Sequence, residues 1–301
     1  MKTVAPACEE AVVPLVRSRV ADYLELTKPR ISVLVLFTVA AGGFLAAGAT
    51  LDVAALLHAV IGTALVASGA SALNQWMERH RDSLMRRTEN RPLPAGRVQP
   101  MEAMIFGIAL GVAGVVYLAV SLRQPWAALL AAGTFISYVF VYTPLKPRTT
   151  LNTLVGAVPG AMPPLIGWVA VQGSLGWEAL TLFFLLFLWQ VPHFLAIAWI
   201  YRNDYALGGY RMLTVVDPDG RLTAVRMVMY CTALILVSFL PVFLGRAGGV
   251  YLCVAAMLGL GFLVCAIGFG CNRTVGRARR VLQASLIYLP VLLAVLMWDR
   301  P

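Results

Sequence analysis

Val53–Leu73 reads VAALLHAVIGTALVASGASAL, with no charged side chain along its length. A helix that crosses the hydrocarbon core of a bilayer needs about 20 such residues. Eight further apolar runs accompany it: Ile31–Thr50, Met104–Leu122, Trp126–Tyr142, Leu154–Val171, Leu180–Ile200, Ala224–Leu244, Val250–Phe269 and Val281–Trp298. The run from Trp126 is the shortest, and its edges are the least defined. Hydrophobic residues make up 60% of the chain and charged residues 13%. Soluble domains carry roughly 25% charged residues, enough to cover a core that this composition could not. The expected fold is an all-α integral membrane protein of about nine transmembrane helices. It is read as a single polytopic domain over residues 1–301, with 1–25 as a cytoplasmic N-terminal segment.

The net charge of +10 suggests nucleic acid until the charges are placed. Nine spans put alternate loops on opposite sides of the bilayer. One side receives Lys2, Arg17, Arg19, Lys28 and Arg30, then Arg79, Arg81, Arg86, Arg87, Arg91 and Arg97. Lys146 and Arg148 follow, then Arg202, Arg211, Arg221 and Arg226, and finally Arg273, Arg277, Arg279 and Arg280. The other side keeps Arg123, Arg246 and Arg300. By the positive-inside rule the amino terminus and the basic loops face the cytoplasm and the carboxyl terminus lies outside. The basic excess is topological, and no nucleic-acid partner is expected.

The first strong apolar run starts at Ile31 and is full length, so no cleavable signal peptide is expected. Glu9, Glu10, Asp22 and Glu25 argue against a mitochondrial transit peptide. A bacterial inner membrane is the simplest location, with an organellar homologue lacking its presequence as the alternative. Cys8, Cys231, Cys253, Cys265 and Cys271 form no CxxC pair. They read as small, buried, apolar thiols rather than metal ligands or disulfides.

Two loops on the basic side are long. Residues 74–100 read NQWMERHRDSLMRRTENRPLPAGRVQP, and residues 201–221 read YRNDYALGGYRMLTVVDPDGR. On a helix that continues the second span, Asn74, Glu78 and Asp82 stand at i, i+4 and i+8. Each step of four residues turns about 400°, so the three share one face with a slow drift. One amide and two carboxylates on one face suit Mg²⁺, an ion that keeps several waters and also binds substrate phosphates. Arg86, Arg87 and Arg91 follow at once, and metal-binding carboxylates beside guanidinium groups are the arrangement a diphosphate needs. Taken on spacing alone, an ordinary solvated, salt-bridged helix end is the commoner meaning of such a pattern. The rigid stretch Asn90–Pro94 would end the helix and fold the basic residues back towards the carboxylates.

These residues also carry a resemblance. The stretch from Asn74 to Gly96 resembles the first aspartate-rich motif of the UbiA superfamily of intramembrane prenyltransferases. It is most similar to the protohaem IX farnesyltransferase (haem O synthase) branch, where Glu commonly stands at the middle acidic position, as Glu78 does. Leu26–Arg30 (LTKPR), Tyr142–Lys146 (YTPLK), Asn152–Ala161 (NTLVGAVPGA), Trp189–Phe194 (WQVPHF) and Tyr201–Tyr205 (YRNDY) resemble signatures of the same family and branch. Many superfamily members carry a full DxxxD in the second loop, whereas here Ile200 stands four residues before Asp204. That thinner motif also favours the haem O synthase branch, and it leaves the number of Mg²⁺ ions open.

The resemblance implies transfer of the farnesyl group of farnesyl diphosphate to a vinyl group of haem B, with addition of water, giving haem O. It implies Mg²⁺ on Asn74, Glu78, Asp82 and Asp204. The substrate-binding set it implies is Arg86, Arg87, Arg91, Tyr142, Lys146, His193, Tyr201 and Arg202. The partners that follow are the lipid bilayer and, downstream, a haem A synthase or oxidase assembly factors. His193 is either a haem contact, as iron ligand or propionate partner, or a hydrogen bond that stitches two helices. His58 lacks polar neighbours in the sequence and reads as packing, and His80 reads as solvated. Phe183, Phe184, Phe187, Trp189, Phe194 and Trp199 suit a carbocation or a porphyrin face, although such a stripe is more often packing surface. Pro159, Pro163, Pro164, Gly156, Gly160 and Gly167 interrupt the fifth span, as a cavity wall or as a plain kink.

Two rival readings are weighed. A transporter would place ionisable residues near mid-membrane, whereas here the acidic residues cluster at one face. A superfamily enzyme acting on 4-hydroxybenzoate or a chlorophyll-type acceptor fits less well with Glu78, the lone Asp204 and the Pro-His-Phe stretch.

Overall fold

The computed structural model describes residues 18–48 and 50–300. Lys2, Cys8, Glu9, Glu10 and Arg17 of the sequence reading lie outside them. Among the described residues there is no strand, and nine helices are long and apolar enough to cross a membrane. A short helix, α1 (Arg19–Leu26), precedes them. The spanning helices are α2 (Pro29–Ala46), α3 (Val53–Asp82), α4 (Pro100–Ser121), α5 (Trp126–Leu145), α6 (Asn152–Gln172) and α7 (Trp177–Ile200). Two short helices, α8 (Arg202–Leu207) and α9 (Leu213–Val216), fill the second long loop. The last three spans are α10 (Arg221–Phe243), α11 (Gly249–Cys271) and α12 (Val275–Trp298).

The faces of these helices sort by solvent. Val112, Val116, Val120, Phe140, Met257, Leu260 and Val264 point outward and are exposed. In water such a belt would drive association, and in a bilayer it is the surface that lipid wets. Inside, small residues let backbones touch. A Cβ on Gly42 would overlap the Pro164 carbonyl, and one on Gly167 would overlap the Val39 carbonyl. Spans α2 and α6 therefore cross backbone to backbone. Gly69, Gly107 and Gly111 do the same for α3 and α4: a Cβ on Gly69 would stand 2.5 Å from Gly111 N.

The cysteine reading needs correction. Cys231 is buried, but Cys253 and Cys271 are exposed. In a membrane helix an exposed thiol meets lipid, which accepts a small apolar group as readily as a core does. His58 also has the polar company that its sequence neighbours lack: its Nδ1 lies 2.7 Å from the Tyr117 hydroxyl of α4. His80 is exposed, as expected.

Candidate active site

Span α3 has 30 residues, so it runs about 45 Å at 1.5 Å per residue. That exceeds a hydrocarbon core of roughly 30 Å by several turns, and its C-terminal turns stand clear of lipid. Asn74, Glu78 and Asp82 fall on one face there, and all three are buried. The helix stops where Thr88 folds back, its hydroxyl donating to the Asp82 carbonyl at 2.8 Å. This satisfies one of the carbonyls that a helix end leaves without a partner.

The three side chains line a cavity of about 220 Å³, together with Lys28, Arg87, Arg91, Lys146 and a group of tyrosines. Each oxygen donor already faces a cation. Lys146 Nζ lies 2.7 Å from Glu78 Oε1, and Arg91 Nη1 lies 2.6 Å from Asp82 Oδ2. Lys28 Nζ donates to Asn74 Oδ1 at 3.1 Å. The Asn74 amide nitrogen donates to the Thr143 hydroxyl at 3.2 Å, which turns the amide oxygen towards Lys28. Burial pushes the Lys28 ammonium down to about 7, helped by the nearby Arg91 charge. Lys146 is buried too, yet the Glu78 carboxylate holds its ammonium well above the ordinary lysine value. Lys28 is the only described non-glycine residue with positive φ, at 51°, and this left-handed turn joins α1 to α2.

The tyrosines come from a local fault in α5. Residues Ser137–Tyr142 form a wide π-turn. Pro144 follows; it has no N–H and its ring crowds the carbonyl four residues back, so a regular α-turn cannot continue there. The Thr143 hydroxyl donates to the Tyr138 carbonyl at 2.9 Å. Tyr138 and Tyr142 both line the cavity, with ring centres 5.3 Å apart, and Lys146 Nζ stands 4.6 Å from the centre of the Tyr142 ring. Opposite lies Gly156, where a Cβ would stand 2.5 Å from that ring.

The second long loop closes over the first. Arg81 Nη1 donates to the Gly208 carbonyl at 2.8 Å and to the Gly209 carbonyl at 3.1 Å. Arg87 Nη2 donates to the Tyr205 hydroxyl at 3.2 Å. Arg211 N donates to the Lys146 carbonyl at 3.0 Å, and the Asn152 amide bridges the same two segments. Tyr210 is buried in the cavity wall, and its hydroxyl has no partner among the described residues. Its phenol is held above the usual tyrosine range by burial and by the Glu78 charge.

A second, mostly apolar cavity of about 140 Å³ adjoins the first and shares Ile31 and Tyr138 with it. Val35, Val66, Ala70, Phe135 and Ile166 line it, along with Pro159 and Pro163. Span α6 breaks at Met162, between those two prolines. The prolines thus make both a kink and a cavity wall.

The UbiA prenyltransferase family model matches residues 35–296 of this sequence. The chain belongs to the UbiA prenyltransferase family. It is 49% identical to the protein named protoheme IX farnesyltransferase in Solibacter usitatus, over 93% of this chain and 99% of that one. Among solved structures it is similar to digeranylgeranylglyceryl phosphate synthase, with a TM-score of 0.78 and 17% identity over 93% of this chain and 98% of that one. It is also similar to a UbiA homologue from Archaeoglobus fulgidus bound to GPP and Mg²⁺, with a TM-score of 0.60 and 16% identity over 91% of this chain and 99% of that one. These last two likenesses establish the UbiA fold.

Within this UbiA site, the structure gathers Asn74, Glu78, Asp82, Arg87, Arg91, Tyr142 and Lys146 around one cavity. Five other residues of the sequence reading do not line it. Arg86 is exposed. Asp204 stands on α8, where its charge acts on Arg87. Tyr201 lies under the Arg87 guanidinium, 4.8 Å from it, and Arg202 covers the Trp199 ring at 4.5 Å. His193 turns to α12, with Nδ1 2.7 Å from Ser285 Oγ and its ring stacked on Trp189. Of the six aromatic residues singled out in α7, Phe194 alone reaches the cavity. Sequence reasoning passed over Lys28, Tyr138, Tyr205 and Tyr210. Lys28 carried a signal, since it is the centre of the LTKPR stretch, and Tyr205 and Tyr210 flank Gly208-Gly209.

Proposed function

We propose that this chain transfers the farnesyl group of farnesyl diphosphate to a vinyl group of haem B. A carbon–carbon bond forms at the vinyl group, water supplies the new hydroxyl and a proton is lost. Haem O and diphosphate are the products. The observation that carries the reading is one polar cavity, lined by two carboxylates and four cations, against an apolar cavity that shares Ile31 and Tyr138 with it. Such a pair suits a molecule with a diphosphate head and a hydrocarbon tail.

The donor set fits Mg²⁺. Asn74, Glu78 and Asp82 offer an amide and two carboxylates; among the described residues no three His, Cys, Asp or Glu side chains gather closely enough to hold an ion by themselves, here or elsewhere. The rest of the shell falls to water and substrate phosphate, which is how Mg²⁺ is usually held. Asp204, which does not line the cavity in this structure, is proposed to join the donors from the second loop once the diphosphate and Mg²⁺ are bound. When bound, Mg²⁺ supplies Lewis-acid charge to the departing diphosphate.

The chain's own residues do the remainder. Lys28, Arg87, Arg91 and Lys146 orient the diphosphate and neutralise it as the allylic C–O bond breaks. Tyr210, whose hydroxyl meets no partner among the described residues, donates to the same anion. The faces of Tyr138 and Tyr142 stand beside the allylic carbon and favour the positive charge that develops there. The apolar cavity holds the tail and keeps water from the cation. The basic loops lie on the cytoplasmic side of a bacterial inner membrane, so the diphosphate is taken from the cytoplasm. Haem O passes on to a haem A synthase or oxidase assembly factors.

The test is to express the chain in a host with a haem B pool but no haem O synthase, extract the haems and weigh them. The expected result is a haem heavier by one farnesyl group and one hydroxyl. Unchanged haem B would overturn the reading.

A further inference from the structure

A separate groove lies beside the polar cavity, between α6, α7 and α10, and Thr153 lines both. Leu154, Val191, Leu195 and Leu213 make its walls apolar. Arg226, in the second turn of α10, is the one charged residue among those that line it. Arg226 is half-buried, and its guanidinium forms no hydrogen bond or ion pair with any described residue. Three other half-buried cations at this end of the bundle carry ion pairs, Arg91 with Asp82, Arg97 with Asp22 and Lys146 with Glu78, and Arg202 lies over the Trp199 ring. A guanidinium with no partner in the described residues, set at the mouth of apolar walls, is free to take a carboxylate. Leu151 and Leu222 at the rim are exposed, so the groove opens towards lipid.

We infer that this groove takes the propionate edge of the acceptor haem, with one propionate carboxylate on Arg226. The inference rests on the proposed transfer to haem. Haem B carries its vinyl groups and its propionates on opposite edges of a flat, apolar ring. A carboxylate held at Arg226 therefore directs the vinyl edge past Thr153 into the cavity where the allylic carbon is placed. The guanidinium fork suits a carboxylate in a bidentate contact. Entry is sideways from the bilayer, at the depth where a propionate still touches the aqueous interface.

A phospholipid phosphate could satisfy Arg226 by the same chemistry, so the test separates the two. The full chain, in nanodiscs of phosphatidylcholine, is titrated with haem B and with haem B dimethyl ester, and the Soret band is followed. Wild type is expected to bind the free acid more tightly than the ester by roughly ten- to a hundredfold, the worth of a charged hydrogen bond. Arg226→Gln should abolish that preference by weakening the acid alone, and Arg226→Lys should restore part of it. Binding of a farnesyl diphosphate analogue should be unchanged in both variants, which also reports that they fold. Equal affinity of wild type for acid and ester would overturn the inference. So would equal weakening of both ligands in Arg226→Gln, the outcome for a lipid-bound or merely structural arginine. Absence of haem O formation by wild type would instead sink the proposed reaction and leave the binding comparison readable.

Discussion

Lys146 Nζ sits 2.7 Å from Glu78 Oε1, so a loop residue after the fourth span and the middle acid of the second are bound as one unit. Both side chains are largely buried, and removing one leaves the other charge stranded. Breaking such a pair costs about 3–5 kcal/mol, more than the pair itself is worth. Lys146→Met should therefore lower both turnover and melting temperature. Glu78→Gln/Lys146→Met should recover most of the melting temperature and none of the turnover. A thermal melt beside a turnover assay checks this, and recovery of both would remove the pair from the site.

Asp82 is expected to be indispensable for turnover. Replacement by Ala looks harmless to the fold when the residue is taken for a loop carboxylate, but Asp82 is 1% exposed and holds Arg91 at 2.6 Å. Asp82→Asn is the cleaner variant, since it keeps the volume. Turnover at saturating Mg²⁺ should fall by roughly a hundredfold or more, several kcal/mol of leaving-group stabilisation being at stake. Near wild-type haem O formation by Asp82→Asn would take Asp82 out of the metal set.

His193 and Ser285 join α7 to α12. The bond should contribute on the order of 1 kcal/mol. His193→Ala and Ser285→Ala should each lower the melting temperature, and the double variant should cost less than their sum. Haem titration of the same variants separates the roles. A displaced Soret band in His193→Ala but not in Ser285→Ala would return the imidazole to haem contact.

Orientation is checked with a reporter that is active only outside the inner membrane. Fused after Pro301 it should be active, and fused after Gly96 it should be silent. The reverse pattern would put the polar cavity on the far side.

The spans were legible because lipid imposes a simple demand: every backbone group bonded within its own helix, and every outward side chain apolar. Eight of the nine helices end within about six residues of their apolar runs, an offset of less than two turns. The exception is α3, which continues nine residues past Leu73 to Asp82. That continuation is what the i, i+4, i+8 spacing called for. The tyrosine lining was not legible, because it depends on a π-turn forced by Pro144 and on a loop docking from over sixty residues away. His193 could not be assigned from sequence either, since its partner Ser285 stands 92 residues on.

Arg97 reaches out of the first long loop to grip the helix that precedes all the spans. Its Nε donates to Asp22 at 2.7 Å and its Nη2 to Glu25 at 3.1 Å, while Nη1 holds the Asn90 carbonyl at 3.0 Å. Gln75 adds a bond to the Leu26 carbonyl at 2.9 Å. A short helix ahead of the first span is often dispensable, but α1 is a bracket for the loop that carries Arg87 and Arg91. A chain begun at Thr27 would keep all nine spans and every residue of both cavities, yet lose the strut that fixes the first long loop. Its failure would appear first as weak capture of diphosphate, with the membrane bundle intact. Truncations that remove Arg19–Leu26 are therefore alterations of the polar cavity itself.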